Sequence, residues 1–301
     1  MLNALVPVFA VIILGHILRR MDFPGDGFWP QAERITYYLL FPALLVHKLS
    51  RASFGGDATL PMAAALVVAL CLTATGLLIL RRRMGLPGPS FSSVFQGGVR
   101  MNTYVGLAVV AMLYGDEGLT LAAVAMVAMI PVINLWCVPV VAGLSENGGG
   151  GWNKLATELA KNPLILGCVI GFGMNLSGLR MHESLYEALA VVGRAALPMG
   201  LLAVGAGLKP RSLGPGLLPS LWSAAAKLVA LPLVTWLLCL LFGASDTALA
   251  VAVIFTALPT ATSSYILARQ LGGDADLMAA IITAQTVMSV ITLPLTIALL
   301  A

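Results

Sequence analysis

The sequence predicts an all-helical membrane protein of ten spanning helices, built as two inverted five-helix repeats. Three observations predict it. Of 301 residues, 59% are hydrophobic and only 10% are charged, where soluble domains carry roughly 25% charge. The apolar residues fall into runs near the ~20 residues that cross a bilayer core. Proline and glycine breaks recur at almost one spacing along the two halves of the chain.

The apolar runs cover 2–18, 30–49, 60–80, 90–114 and 119–143, then 160–178, 184–208, 217–242, 247–271 and 277–300. They define a first repeat 1–143, a connecting stretch 144–159 and a second repeat 160–301. Within the connection, Ser145 to Lys154 is the longest polar interruption and contains the run Gly148 to Gly151, which reads as a linker. From Trp152 to Lys161, apolar and charged residues alternate at helical spacing, which predicts a helix lying along the interface. The first run is uncharged at its front and followed by Arg19 and Arg20, so it is expected to stay as a span. Cys71, Cys137, Cys168 and Cys239 lie singly inside apolar runs, without metal or redox spacing, and read as core residues.

Positive charge orients the chain. With the N-terminus outside, the inner loops hold eleven basic residues: Arg19, Arg20, Arg34, Arg81, Arg82, Arg83, Lys154, Lys161, Lys209, Arg211 and Arg269. The outer loops hold three, Lys48, Arg51 and Arg180. This bias predicts both termini on the outer face of the cytoplasmic (inner) membrane.

The halves echo one another. Pro7, Gly15 and Pro42 recur 156 positions later as Pro163, Gly171 and Pro198, while Pro61 recurs as Pro219 and the polar break at Asn102 as the break at Pro259. With five spans per half, the second half enters the membrane in the opposite sense, which makes the repeat inverted.

The fourth span of each half is interrupted at its centre. The first carries Gly97-Gly98-Val99-Arg100-Met101-Asn102-Thr103, and the second Ala257-Leu258-Pro259-Thr260-Ala261-Thr262-Ser263-Ser264. Proline removes a donor and pushes the preceding residue out of helical angles. Asn102 or Thr103 suits the cap of a new half-helix, and Pro259 a first helical position. Each break then offers a helix N-terminus with its partial positive charge, and the two together suit a carboxylate near the midplane. The alternative is a plain kink at Pro259 with the hydroxyls bonded one turn back.

Arg100, Arg194 and Lys227 each lie about ten residues into a span. A charge there is expensive in lipid and must face protein or water. Arg100, beside the break, is the candidate for binding an anion. Lys227 and Arg194 are candidates for the cavity or for structure, as are the span residues Asn134, Gln285, Thr283 and Thr286, for which interhelical hydrogen bonds serve equally well. No Asp or Glu lies in the interior of a span, which argues against coupling through a titrating carboxylate. His16, His47 and His182 sit at span ends or in a loop and read as interfacial.

At these residues the chain resembles the auxin efflux carrier family, which includes plant PIN-FORMED carriers and bacterial organic-acid permeases. The likeness runs through Pro7 to Arg20, Phe41-Pro42-Ala43-Leu44-Leu45, Arg100-Met101-Asn102-Thr103, Asn162-Pro163-Leu164-Ile165, Leu197-Pro198 to Gly207, Lys227-Leu228-Val229 with Pro232, and Ala257-Leu258-Pro259. The resemblance implies a fold like that of bile acid/sodium symporters, with crossed, broken helices 4 and 9. It implies a scaffold of spans 1, 2, 6 and 7, a moving domain of spans 3–5 and 8–10, elevator-like exchange, and a homodimer formed through the scaffold. It marks Asn102 and Pro259 as substrate-site positions. Unlike the plant carriers, the chain lacks a proline at the first break, an acidic residue in span three and a long loop between halves, so the bacterial branch is the nearer comparison.

The expected function is a permease or efflux carrier moving a small organic anion, a mono- or dicarboxylate. Arg100, Asn102, Thr103, Pro259, Thr260, Thr262 and Ser263 are the expected substrate contacts, with no metal, cofactor or nucleic acid involved. A sodium-coupled symporter of the bile acid type is the runner-up, although clustered acidic sodium ligands are absent. A membrane enzyme is not expected, since no GxSxG-like serine with histidine, paired aspartates or HExxH stands in the chain. For a membrane sensor, no residues remain to build a soluble output domain.

Overall fold

A computed structural model describes residues 2–25, 27–52, 59–145, 161–213 and 216–300. In that order come α1 (Leu2–Arg20), α2 (Phe28–Ile35), α3 (Phe41–Leu49), α4 (Thr59–Met84), α5 (Gly88–Val99) and α6 (Thr103–Leu144). The second half holds α7 (Pro163–Ser177), α8 (Glu183–Arg194), α9 (Ala196–Ala206), α10 (Leu217–Ala224), α11 (Leu231–Phe242), α12 (Asp246–Ala257), α13 (Ser263–Leu271) and α14 (Ala275–Leu300). Among the described residues there is no strand. Most of the connecting stretch 144–159, including the expected interfacial helix, lies outside the described residues.

Helix is the form that satisfies backbone groups inside a segment when no water is at hand. Five helical stretches are long and apolar enough to cross a membrane: Thr59–Met84, Gly88–Leu144, Glu183–Ala206, Leu217–Phe242 and Ala275–Leu300; Pro163–Ser177 and Asp246–Ala257 are apolar but shorter. Their outward faces are apolar as well. Ile79, Leu241 and Leu299 are 73–77% exposed, a surface that belongs in lipid rather than water.

Prolines explain the irregular spans. Pro42 has no N–H for the Tyr38 carbonyl and Pro232 none for that of Leu228, and each ring crowds that carbonyl. The backbone opens into π-helical turns at Thr36–Leu40 and Ala225–Ala230. Pro198 likewise offers no N–H to the Arg194 carbonyl, and there the span breaks at Ala195 between α8 and α9 without a π-helical turn.

Contacts divide the chain into two compact units, one of residues 1–56, 104–127 and 159–207, the other of 57–103, 128–158 and 208–301. In the first, α1 packs along α9, and α3 packs on α7 and α8. Small residues let the backbones touch. A Cβ on Gly15 would collide with the Leu202 main chain, and one on Gly205 with the Ile12 carbonyl. Gly171 packs on Leu45, Val46 and Leu49, less tightly, with a Cβ there 2.8 Å from that of Leu49. Gly15 and Gly171 are 156 positions apart, and so are their partners Val46 and Leu202.

In the second unit, α4 packs on α11, α5 and α14 pack on α10, and α12 packs on α11 and α14. Asp274 joins two helix starts: its carboxylate accepts the Leu277 N–H at 3.0 Å and the Ser90 hydroxyl at 2.8 Å. Helix α6 contributes to both units and bends at Gly115, where φ is 55° and ψ −135°.

Left-handed backbone positions recur with the same spacing as the prolines. Asp22 pairs with Gly178, Gly85 with Gly243 and Gly115 with Gly272, all with φ between 54° and 77°, at separations of 156, 158 and 157 residues. The proline pairs match less well in detail. Pro7 sits inside α1, whereas Pro163 begins α7 and is preceded by Asn162, whose side chain accepts the Leu164 and Ile165 N–H groups. Cys137, Cys168 and Cys239 are buried free thiols and Cys71 is half-buried.

Candidate functional site

The two interrupted spans meet in the second unit. Helix α5 stops at Arg100 (φ −73°, ψ 154°) and α12 stops at Leu258 (φ −67°, ψ 149°). Leu258 is held extended because Pro259 follows it; at Arg100 the break follows the weak helix formers Gly97 and Gly98. The extended segments are bonded to one another. The Asn102 N–H donates to the Pro259 carbonyl at 2.8 Å, and the Thr260 hydroxyl donates to the Gly97 carbonyl at 2.8 Å.

Gln285, fully buried on α14, completes the junction. Its Oε1 accepts the Thr260 N–H at 2.9 Å, and its Nε2 donates to the Gly97 carbonyl at 3.0 Å and to Ser223 Oγ at 2.9 Å. Backbone groups freed by breaking two helices thus find partners inside the protein, as they must at membrane depth. Gly97 has to be glycine here, since a Cβ would overlap Ser223 Oγ.

Helix resumes at Thr103 on one side and Ser263 on the other, with Asn102 and Thr262 at the N-cap positions. The structure therefore corrects the expectation for Pro259. It is buried in the extended crossing, four residues before α13 starts, because the segment must cross the other break before it can coil again.

Arg100 extends from the first break, partly buried. Its Nη1 donates to Asn134 Oδ1 at 3.2 Å, and its Nη2 lies 3.5 Å from Ser263 Oγ at the start of α13. No carboxylate forms an ion pair with Arg100 among the described residues, so a full positive charge stands beside the helix N-terminus at Ser263.

The structure thus gathers Arg100, Asn102, Thr103, Asn134, Pro259, Thr260, Thr262, Ser263 and Gln285 around one crossing. Thr260 and Gln285 spend their polar groups on the crossing itself. Ser263 is exposed and Thr262 half-buried. Arg194 is elsewhere, exposed in the first unit, with its Nε donating to the Ala190 carbonyl one turn back. Lys227 is fully buried on the π-helical turn after α10. Thr283 and Thr286 donate to the carbonyls of Ala279 and Ile282, and Thr283 also accepts the Lys209 N–H. His182 caps α8, its Nδ1 accepting the Ser184 N–H.

Three buried polar residues escaped the sequence reading. Gln96 precedes Gly97, while Ser220 and Ser223 lie on α10; all are 0% exposed. The signal was present: Ser220, Ser223 and Lys227 fall at i, i+3 and i+7, one polar face on an apolar helix.

In the first unit, a cavity of about 550 Å³ is lined by Arg51, Asn175, Arg180, Glu183 and Tyr186, among others. Its cations are partly spoken for. Arg51 pairs with Glu183 at 2.7 Å and stacks on Tyr186 at 3.5 Å, and the carboxylate raises the guanidinium above its ordinary range. Among the described residues no cluster of three or more His, Cys, Asp or Glu could hold a metal ion.

Residues 152–297 match the family model described as membrane transport protein. A protein of Rhizobium meliloti (strain 1021), provisionally named a malonate transporter, is 27% identical over 311 residues, covering 95% of this chain and 92% of that protein. An uncharacterized transporter of Methanothermobacter thermautotrophicus is 23% identical over 299 residues, covering 97% of this chain and 96% of its own.

Proposed function

We propose that this chain is a membrane transporter of the kind the membrane transport protein model and the two transporter relatives describe, akin to the auxin efflux carriers, and that it carries a small organic anion. The substrate class is a mono- or dicarboxylate. One observation carries the reading: two helix breaks are bonded through Asn102 and Pro259, and Arg100, without a carboxylate partner among the described residues, reaches from one break to the helix start of the other. A carboxylate at Arg100 would gain a charge-assisted hydrogen bond and the N-terminal field of α13. The relative named for malonate makes dicarboxylates the first to try.

The transport cycle in this reading is elevator-like alternating access in the inner membrane, within a homodimer and with both termini outside. Ten spans form two inverted repeats. The recurrence of left-handed positions at 156–158 residues, and of the Gly15–Leu202 contact as Gly171–Val46, supports that arrangement. Spans 1, 2, 6 and 7 serve as scaffold and spans 3–5 and 8–10 as the moving body. The two contact units support this division in the main, with residues 104–127 counted in the first.

Thermal stabilisation of the purified protein against a panel of organic acids tests the reading. A ligand that binds only the folded state adds about 2.7 kcal/mol of apparent stability at 100 times its dissociation constant. Malonate or another carboxylate should raise the melting temperature while the matching amides leave it unchanged. If no acid stabilises, or if amides do so equally, the reading is wrong.

A further inference from the structure

Lys227 is 0% exposed, and its amine has no hydrogen-bond partner among the described residues. It is the eleventh residue of the 26-residue span Leu217–Phe242, close to the middle. A permanent ammonium at such a depth needs a counter-charge. The π-helical turn that carries Lys227 packs against α4, α5, α10, α11, α12 and α14. The charged groups of those helices are Arg81, Arg82 and Arg83 at the exposed end of α4, Arg100 at the cap of α5, Asp246 at the start of α12, and at the start of α14 Asp276 and the half-buried Asp274, whose carboxylate is bonded to Ser90 and the Leu277 N–H; Asp246 and Asp276 are exposed, and the thiols Cys71 and Cys239 complete the titratable set. None of these helices brings a buried carboxylate to the lysine.

The surroundings tie this residue to the crossing. Ser223, one turn earlier on the same face, accepts the Gln285 amide and abuts Gly97. Ala226 lies against Gly98, 3.4 Å from where its Cβ would stand. Gln96, next to Gly97, is fully buried with neither amide atom bonded, and the same holds for the Ser220 hydroxyl. Buried polar groups left without partners call for an explanation. Here Gln96 stands at the helix break itself and Ser220 on the helix face that carries Lys227.

We propose that Lys227 is the proton-coupling residue of this carrier, neutral when the site is empty and protonated when an organic anion enters. The proposal rests on the anion-carrier reading above. On binding, the amine lone pair takes one proton from the aqueous side that delivers the substrate, forming an N–H bond, while the carboxylate remains ionised and supplies the counter-charge. On release to the other side the ammonium gives that proton up. One proton thus moves with each anion, and no other bond is made or broken.

The test uses the full-length purified protein, with malonate as probe at pH 8, where the acid is fully ionised. Calorimetry in two buffers of different ionisation enthalpy reads proton uptake per ligand bound. Wild type should take up close to one proton. Lys227→Met should bind more weakly and take up none, and Lys227→Arg, which is always charged, should also take up none. In proteoliposomes, Lys227→Arg should lose accumulation driven by a pH gradient, and whatever exchange it retains should not respond to that gradient. Binding without proton uptake in wild type overturns the proposal and leaves the anion-carrier reading intact. So does undiminished proton uptake or gradient-driven accumulation in Lys227→Arg, which also settles the matter should Lys227→Met fail to fold. If no carboxylate binds wild type at all, the anion-carrier reading fails first and this one with it.

Discussion

Replacing Gln285 by leucine keeps the volume and removes its three side-chain hydrogen bonds, two to the helix crossing and one to α10. Three are lost: from the Thr260 N–H at 2.9 Å, to the Gly97 carbonyl at 3.0 Å and to Ser223 Oγ at 2.9 Å. Hydrogen bonds between membrane helices average about 0.6 kcal/mol each, so three give a floor near 2 kcal/mol. The Thr260 N–H, buried in the crossing, is then left without this acceptor, which adds roughly 1–3 kcal/mol. The Gly97 carbonyl loses less, because it still accepts the Thr260 hydroxyl. Gln285→Leu should therefore destabilise by about 2–5 kcal/mol. Gln285→Glu, whose buried carboxyl is neutral at this depth and so keeps an acceptor for Thr260 and one donor, should fold better than the leucine variant. Reversible SDS unfolding in mixed micelles measures both. A leucine variant within about 0.5 kcal/mol of wild type, the range of an ordinary surface change, would refute the role given to Gln285.

Three further outcomes are expected. Single cysteines at positions 82 and 117 should be labelled from opposite faces of the membrane, 82 from the cytoplasm; labelling from one face would end the ten-span, inverted arrangement. Substrate uptake into proteoliposomes should persist when potassium replaces sodium, since no carboxylate cluster awaits a sodium ion among the described residues; strict sodium dependence would favour a symporter. Gly205→Val should lower stability by about 1–3 kcal/mol or more, because a side chain there meets the Ile12 carbonyl. Gly173→Ala, which meets nothing within 4 Å, should leave it unchanged.

Much of this was legible in the sequence, for physical reasons. Hydropathy locates helices because lipid leaves the backbone no other regular form, and the runs 217–242 and 277–300 fall within two residues of helices in the structure. The breaks were legible because Gly97-Gly98 and Leu258-Pro259 are poor helix formers at any depth. What was not legible depends on which helices touch. Gln285 and Thr283 are both polar residues of one span, yet only the first bonds across to the break, while the hydroxyl of the second turns back to its own helix. Thr260 read as a ligand-facing hydroxyl, but the opposite break claims it. Pro259 read as a helix start because prolines favour that position, whereas the crossing keeps the backbone out of helix as far as Ala261. Asp22 takes the left-handed angle that glycine takes at position 178, a turn that composition alone does not mark.

Affinity for an acid and its uncharged amide, in wild type and in Arg100→Gln, tests most directly whether charge at the crossing selects an anion. Malonate and malonamide are a suitable pair. Wild type should bind the acid and discriminate strongly against the amide. Arg100→Gln should lose about 1–3 kcal/mol of acid affinity, the magnitude of a charge-assisted hydrogen bond, and with it much of the discrimination; Asn102→Ala should weaken the acid by a similar amount. Equal binding of acid and amide by the wild type, or a mutant that keeps both full acid affinity and full discrimination, would contradict the account.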